Sequence, residues 1–222
     1  MNIEAVIFDL DGVLVHTDHY HYLAWKRMCD EEGIPFDERT NDRLRGVSRM
    51  ACVNIILEKA SRQYSPQEKM QFAERKNGYY KEMLQSLSAA DLPSGAAMTL
   101  DSLRGEGIKL AIGSSSRNAP YILERLELMH KFDAVADGNE IRCSKPDPEV
   151  FLLAASKLGV RPDRCLVVED AAAGVEAAVR GGMWVAAIGE ACLCGMADYH
   201  IGRIEELLPI LQAKGGGRQR TI

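Results

Sequence analysis

The chain has 222 residues, 46% of them hydrophobic and 27% charged, enough for one or two domains with a sizeable core and the expected make-up of a soluble globular protein. A net charge of -5 supplies no basic field for nucleic acid, and the cations Arg43, Arg45, Arg49, Lys59 and Arg62 read as a solvated helix face. No run approaches the roughly 20 apolar residues of a spanning helix, and Met1-Asn2-Ile3-Glu4 lacks the basic and apolar stretches of a signal peptide. The expectation is a cytoplasmic protein with no membrane or nucleic-acid partner.

The first element is an apolar run at 3–8, which predicts a buried parallel strand ending in Phe8-Asp9-Leu10-Asp11-Gly12. Residues 15–88 then carry no strand pattern and read as helices over 18–32, 39–44, 50–62 and 66–87. The last opens on Ser65-Pro66-Gln67-Glu68, with Pro at the first helical position. The chain therefore leaves the sheet after one strand, builds a helical module over 16–87 and returns near Asp91-Leu92-Pro93, so that a core domain comprises 1–15 and 88–222. The two connectors can serve as a hinge for a reaction that excludes water. Further strands are predicted at 109–113, 134–136, 165–168 and 184–188. Helices fall between them, at 119–129 with Ile122, Leu123, Leu126 and Met129 on one face, and at 150–158 with Phe151, Ala154, Ala155 and Leu158. This alternation predicts an α/β fold with a doubly wound, Rossmann-like parallel sheet. The tail Lys214-Gly215-Gly216-Gly217-Arg218 reads as disordered. Cys29, Cys52, Cys143, Cys165, Cys192 and Cys194 form no CxxC pair and are expected to be reduced packing thiols.

Ligands of open α/β sheets bind outside the carboxyl ends of the strands, where Asp9 and Asp11 fall. Asp-Gly is also a common turn, so this pair alone leaves both readings open. A second acidic pair, Glu169-Asp170, ends the run at 165–168. If both strands are central, the carboxylates converge and need a cation, and an oxygen-only set suits a hard ion such as Mg²⁺ beside a phosphate. Gly113-Ser114-Ser115-Ser116-Arg117-Asn118 follows another strand and opens a helix, as an anion site or as an ordinary Ser/Asn cap. Pro146 biases Lys145 toward an extended conformation that can aim its ammonium at the acids, or leave it solvated.

The order DxD, Ser, Lys, Glu-Asp resembles the four motifs of the haloacid dehalogenase superfamily over nearly the whole chain. The resemblance implies that Asp9 is the nucleophile and becomes an aspartyl phosphate. It makes Asp11 the general acid and base, and has Ser114 bind phosphoryl oxygens while Lys145 balances charge. It also implies one Mg²⁺ on Asp9, the Asp11 carbonyl and Asp170, with Glu169 close by or through water. Dehalogenases of the superfamily lack the second Asp and its transport ATPases carry Thr there, so Asp11 points to phosphatases and mutases. The helical insert resembles an all-helical cap of the C1 type.

Within the superfamily, Thr17-Asp18-His19-Tyr20-His21 with Ala24-Trp25-Lys26, Gly46-Val47-Ser48-Arg49, Arg75-Lys76-Asn77 and the Ser114–Pro120 stretch resemble the β-phosphoglucomutase subfamily. That resemblance implies an isomerase that interconverts β-D-glucose 1-phosphate and glucose 6-phosphate, with glucose 1,6-bisphosphate as intermediate and activator. Arg49 would clamp the distal phosphate from the cap, and Ser115, Ser116, Arg117 and Asn118 would meet the substrate from the core. Trp25, Gly46, Val47, Ser48 and Lys76 would line the cap side, and His21 would couple cap closure to Asp11. Arg117 stands where members often carry Lys. Met50-Ala51-Cys52 is more apolar than usual, and a Cys52 hydrogen bond to substrate would be weaker than one from Ser. The alternatives are a sugar-phosphate phosphatase with the same core and, more remotely, a non-catalytic phosphosugar-binding module. A monomer acting on small sugar phosphates is expected.

Overall fold

The computed structural model describes residues 2–44 and 48–212. Arg45, Gly46, Val47 and the 214–218 tail lie outside the described residues. The chain divides into two compact units, one formed by Met1–His16 with Ser88–Ile222 and the other by Thr17–Leu87. In chain order the elements are β1 (Ala5–Phe8), α1 (Asp18–Glu31), α2 (Glu38–Asp42), α3 (Arg49–Leu57), α4 (Pro66–Leu84), α5 (Ala96–Gly105), β2 (Lys109–Gly113), α6 (Ala119–Arg125), β3 (Ala134–Ala136), α7 (Glu149–Leu158), β4 (Cys165–Glu169), α8 (Ala172–Arg180), β5 (Trp184–Ile188), β6 (Tyr199–Ile201) and α9 (Leu207–Gln212).

In the first unit the strands form one parallel sheet in the order β3-β2-β1-β4-β5-β6. β1 lies between β2 and β4, with Phe8 opposite Ile112 on one side and Val168 on the other. All four residues of β1 and all five of β4 are buried. A strand covered on both faces reads as an unbroken apolar run, which is why these two were legible without alternation. Strand order reverses between β1 and β4, the switch point at which open α/β sheets leave a crevice at their carboxyl ends. β6 was not foreseen, because Tyr-His-Ile is too short and too polar to stand out from a loop.

Two helices are shorter than their apolar patterns. α6 stops at Arg125 because Glu127 takes a left-handed φ of 58°. The Leu128 N–H then donates to Leu123 O at 2.9 Å, which closes a Schellman turn with Leu126 and Leu128 buried. α3 ends at Leu57 in successive short turns, where Lys59 donates to Thr40 Oγ1 at 2.6 Å. Among the described residues no helix is long and apolar enough to cross a membrane.

The second unit packs α1, α3 and α4 around Trp25, Met28, Cys29, Ile34, Phe36, Val53, Ile56 and Phe72. α4 begins on a capping box, in which Glu68 N donates to Ser65 Oγ at 3.3 Å and Ser65 N to Glu68 Oε2 at 2.8 Å. Arg43 pairs with Glu58, Arg62 with Glu68 and Lys59 with Asp37 along its surface. All six cysteines are free, and burial pushes the thiols of Cys29 and Cys165 up to about 12 and that of Cys52 to about 11.

α1 sets His21 and Trp25 one turn apart, and α4 does the same for Lys76 and Tyr80. The His21 ring stacks on Tyr80 at 4.0 Å. Lys76 Nζ lies 2.7 Å from His21 Nδ1 and 4.7 Å from the Trp25 and Tyr80 ring centres. An ammonium can only donate, so Nδ1 accepts and the imidazole is neutral, with its proton on Nε2. Burial, then the Lys76 and Arg49 charges, hold the His21 pKa well below its ordinary 6.5. Above 6.5 neither folded nor unfolded His21 carries a proton, whereas below it the unfolded chain gains one that the folded ring refuses. Stability contributed by this unit is therefore lost as pH falls from about 6.5, by up to about 1.4 kcal/mol per pH unit. His21→Gln, which keeps an acceptor and cannot titrate, flattens that slope in urea unfolding measured from pH 7.5 to 5. Parallel stability curves for the two proteins would contradict the assignment.

Candidate active site

Asp9 continues β1 by one residue, because its N–H donates to Val168 O at 2.9 Å and so extends the ladder with β4. Its carboxylate is thereby fixed at the switch point, 6% exposed. The loop beyond is pinned by fully buried Leu10, Leu14 and Val15, with Leu14 N and Val15 N both donating to Leu10 O. Asp11 sits on this loop, bridged to Val15. Gly12 has a φ of 89°, and a Cβ there would lie 1.9 Å from Asp170 Oδ2. Glycine is required twice, for the turn and for the approach of that carboxylate.

Glu169 is the last residue of β4 and is 1% exposed. Its Oε1 accepts from Ala171 N at 3.0 Å and its Oε2 from Lys145 Nζ at 2.8 Å. Gly174 in the first turn of α8 leaves room for it, since a Cβ there would lie 2.0 Å from the Glu169 carboxyl. Lys145 reaches in from the loop between β3 and α7. It donates to Asp9 Oδ1 at 2.5 Å as well as to Glu169, and its Nζ stands 4.6 Å from the Phe151 ring centre. Phe151 was expected only as a core residue, yet it also forms the apolar wall behind the ammonium.

Asp9, Glu169 and Asp170 offer carboxylate oxygens that all lie within 4.8 Å of one another, and among the described residues they are the one such group. The Asp11 side chain is not part of it. At 4.8 Å two unit charges repel by about 3.5 kcal/mol at an effective dielectric near 20, so one ammonium does not balance three such acids. The strain shows in their titration. Burial raises the Asp9 carboxyl well above the usual range against the pull of Lys145, and Glu169 and Asp11 add to the rise. Burial and the Glu169 charge push Asp170 up to about 7. Burial pulls the Lys145 ammonium down, but Asp9 and Glu169 more than offset it, and the group stays charged. An all-oxygen cluster with surplus negative charge fits a hard divalent cation.

β2 ends in Gly113, and the following loop stays against β3 through Ser114 N, which donates to Ala136 O at 3.1 Å. Ser114 Oγ accepts from Ser116 N at 3.1 Å and Ser116 Oγ from Asn118 N at 3.2 Å. Each hydroxyl fixes the loop as an acceptor and keeps its own proton to donate. Ser115 Oγ is buried and meets no hydrogen-bond partner among the described residues. α6 has only 7 residues, so any anion affinity here rests on hydroxyls and loop amides more than on a helix dipole. Asn118 is its N-cap but makes no side-chain capping bond, which sets this loop apart from an ordinary Ser/Asn cap.

The remaining expected residues belong to the other unit. Ser48 caps α3 by accepting from Ala51 N, and Arg49, the first residue of that helix, donates through Nη2 to Asn77 Oδ1 at 3.2 Å. Asn77, expected only as part of the Arg75-Lys76-Asn77 resemblance, gives the guanidinium a direction through its side-chain oxygen. Trp25, His21 and Lys76 form the aromatic cluster described above. Cys52 is 5% exposed and donates to Leu44 O at 3.6 Å, so its thiol serves the core of the unit.

The haloacid dehalogenase-like hydrolase family model matches residues 3–182. The β-phosphoglucomutase of Bacillus subtilis is 42% identical over 190 residues, covering 85% of this chain and 84% of the relative. The phosphorylated carbohydrates phosphatase of Thermotoga maritima is 34% identical over 184 residues, 82% of each chain. Among solved structures, the β-phosphoglucomutase of Clostridium difficile superposes with a TM-score of 0.87 at 36% identity, covering 95% of this chain and 96% of that one. On motifs, fold and relatives together, the chain belongs to the haloacid dehalogenase-like hydrolase family.

Proposed function

We propose that this enzyme is a Mg²⁺-dependent β-phosphoglucomutase, converting β-D-glucose 1-phosphate to glucose 6-phosphate through glucose 1,6-bisphosphate. The observation that carries the mutase reading is the Arg49–Asn77 pair beside buried Lys76, a directed guanidinium that suits a second, distal phosphate. The Bacillus subtilis and Clostridium difficile relatives support it.

In this reading Lys145 engages Asp9 Oδ1 and leaves Oδ2 to attack phosphorus. Phosphorylated Asp9 then passes its phosphoryl group to the sugar 6-hydroxyl. The hydroxyl proton goes to Asp11 as the new P–O bond forms and the bond to Asp9 breaks. After the bisphosphate turns around, Asp9 attacks the phosphate on C1, and Asp11 returns the proton to the departing sugar oxygen. Ser114 donates to the phosphoryl oxygens, and Ser116, Arg117 and Asn118 meet the distal phosphate together with Arg49. Residues 16–87 act as the cap, closing on a hinge at the two connectors to keep water from phosphorylated Asp9. Bound Mg²⁺, held by Asp9, Asp170 and the Asp11 carbonyl with Glu169 close by, supplies charge neutralisation for the phosphoryl oxygens.

The second reading is a sugar-phosphate phosphatase, in which water is the acceptor. The Thermotoga maritima relative favours it, because a closely similar chain is named for that activity.

Protein incubated with Mg²⁺, β-glucose 1-phosphate and a trace of the 1,6-bisphosphate is expected to yield glucose 6-phosphate with little free phosphate. Stoichiometric phosphate release with little glucose 6-phosphate would replace the mutase by the phosphatase. Arg49→Ala is expected to lower mutase turnover at least about a hundredfold, as for loss of a charged clamp on a reacting ligand. Slow phosphorylation of Asp9 by acetyl phosphate should survive in that variant, and unchanged mutase turnover would remove Arg49 from the site.

A further inference from the structure

The loop leaving β3, Asp137-Gly138-Asn139, lies outside the four motifs but is hydrogen-bonded to two successive carbonyls of the Ser114–Asn118 loop and packs against the one before them. Ser115 O packs against Gly138, where a Cβ would stand 2.2 Å from it. Ser116 O accepts from Gly138 N at 3.2 Å, and Arg117 O accepts from Asn139 Nδ2 at 3.0 Å. Asp137, 5% exposed, holds the strap in shape by accepting from Asn139 N at 2.7 Å. Asn139 itself is exposed, yet its amide folds back onto the main chain.

A trans peptide points its C=O and the next N–H in opposite directions. Carbonyls 115, 116 and 117 turned toward the strap therefore turn the N–H groups of Ser116, Arg117 and Asn118 the other way. Two of those N–H groups are found where this predicts, on Ser114 Oγ and Ser116 Oγ. The Arg117 N–H lies between them in sequence, on the same side as the two hydroxyls. The strap thus sets the Ser116 hydroxyl and the Arg117 main-chain amide as donors, with the Arg117 side chain rooted beside them.

We propose that Asp137, Gly138 and Asn139 are positioning residues that hold the Ser116–Asn118 donors in register for the non-reacting phosphate of the substrate. This rests on the phosphosugar reading above. Asn139 acts through the Arg117 carbonyl and touches no reacting atom, so its removal should change affinity for a sugar phosphate and leave chemistry at Asp9 alone. Gly138→Ala cannot be seated without moving main chain, so it tests folding as much as function, and exposed Asn139 is the better probe.

In the Mg²⁺-loaded full chain, Asn139→Ala is expected to raise KM for β-glucose 1-phosphate about three- to tenfold, the range for losing one hydrogen bond. Turnover at saturation and phosphorylation of Asp9 by acetyl phosphate should stay within about twofold. Asn139→Asp, with an oxygen facing the Arg117 carbonyl, should be worse in KM alone. A second readout does not depend on turnover. In amide NMR spectra, inorganic phosphate should shift the Arg117 N–H of the wild type, and Asn139→Ala should weaken that response. If the wild type turns over no glucose phosphate, the functional reading fails while the NMR arm still decides the strap. An unchanged KM, an equal loss of acetyl phosphate reactivity, or an Arg117 response that is absent from the wild type or identical in both proteins would overturn the proposal.

Discussion

One buried ammonium between two carboxylates organises this molecule. Lys145 Nζ donates to Asp9 and to Glu169, which come from the carboxyl ends of adjacent strands β1 and β4. With Asp170 added, the group carries more negative charge than Lys145 can balance, and Asp9 and Glu169 are taken out of water by the same packing that fixes their positions, while Asp170 is partly buried. Several distant sequence choices follow from accommodating it. Gly12 and Gly174 have no side chain because the Asp170 and Glu169 carboxylates occupy that space. Phe151 faces the ammonium with a ring. β1 and β4 are buried throughout, and their acids stand at or just past the strand ends.

The same arrangement explains the chemistry this family member is suited to. A carboxylate is a weak nucleophile toward an anionic phosphate, because both partners are negative. Lys145 relieves that repulsion, a divalent cation would add to the effect if bound on the acidic cluster, and burial makes such fields stronger than they would be in water. What the core does not decide is the acceptor. Sugar hydroxyl and water ask the same of Asp9, Ser114 and Lys145, and relatives of both kinds are similar over most of the chain. In the proposed reading the choice would rest on residues that recognise a second phosphate, for which Arg49 with its Asn77 support and the Ser116–Asn118 loop with its strap are the candidates.

Much of the fold was legible because burial leaves a local mark. β4 is an apolar run ended by Glu169, and α4 announces itself through Ser65, Pro66 and Glu68. Where the deciding contact is distant, the sequence was silent. β6 exists because β5 offers it an edge, not because Tyr-His-Ile favours a strand. α6 ends early because burial of Leu128 and a positive φ at Glu127 outweigh an apolar stripe that continues to Met129. In the candidate site, DxD and Glu-Asp could be read from spacing. The roles of Gly174, Phe151 and Asn139 could not, because each depends on a partner brought close only by the fold. The sequence leaves Cys52 open as a weak substrate contact, and the fold puts its thiol in the core of its unit on the Leu44 carbonyl.

The central claim is that Asp9, fixed by Lys145, carries the phosphoryl group. The most direct test is to incubate the protein with Mg²⁺ and acetyl phosphate and trap the acyl phosphate by borohydride reduction, which converts a phosphorylated aspartate to homoserine. Mass spectrometry of the peptide containing Phe8-Asp9-Leu10-Asp11 then locates the change. Homoserine at position 9, with position 11 left as aspartate, is the predicted result. Modification at position 11, at another residue, or at none in protein shown to be folded would contradict the account.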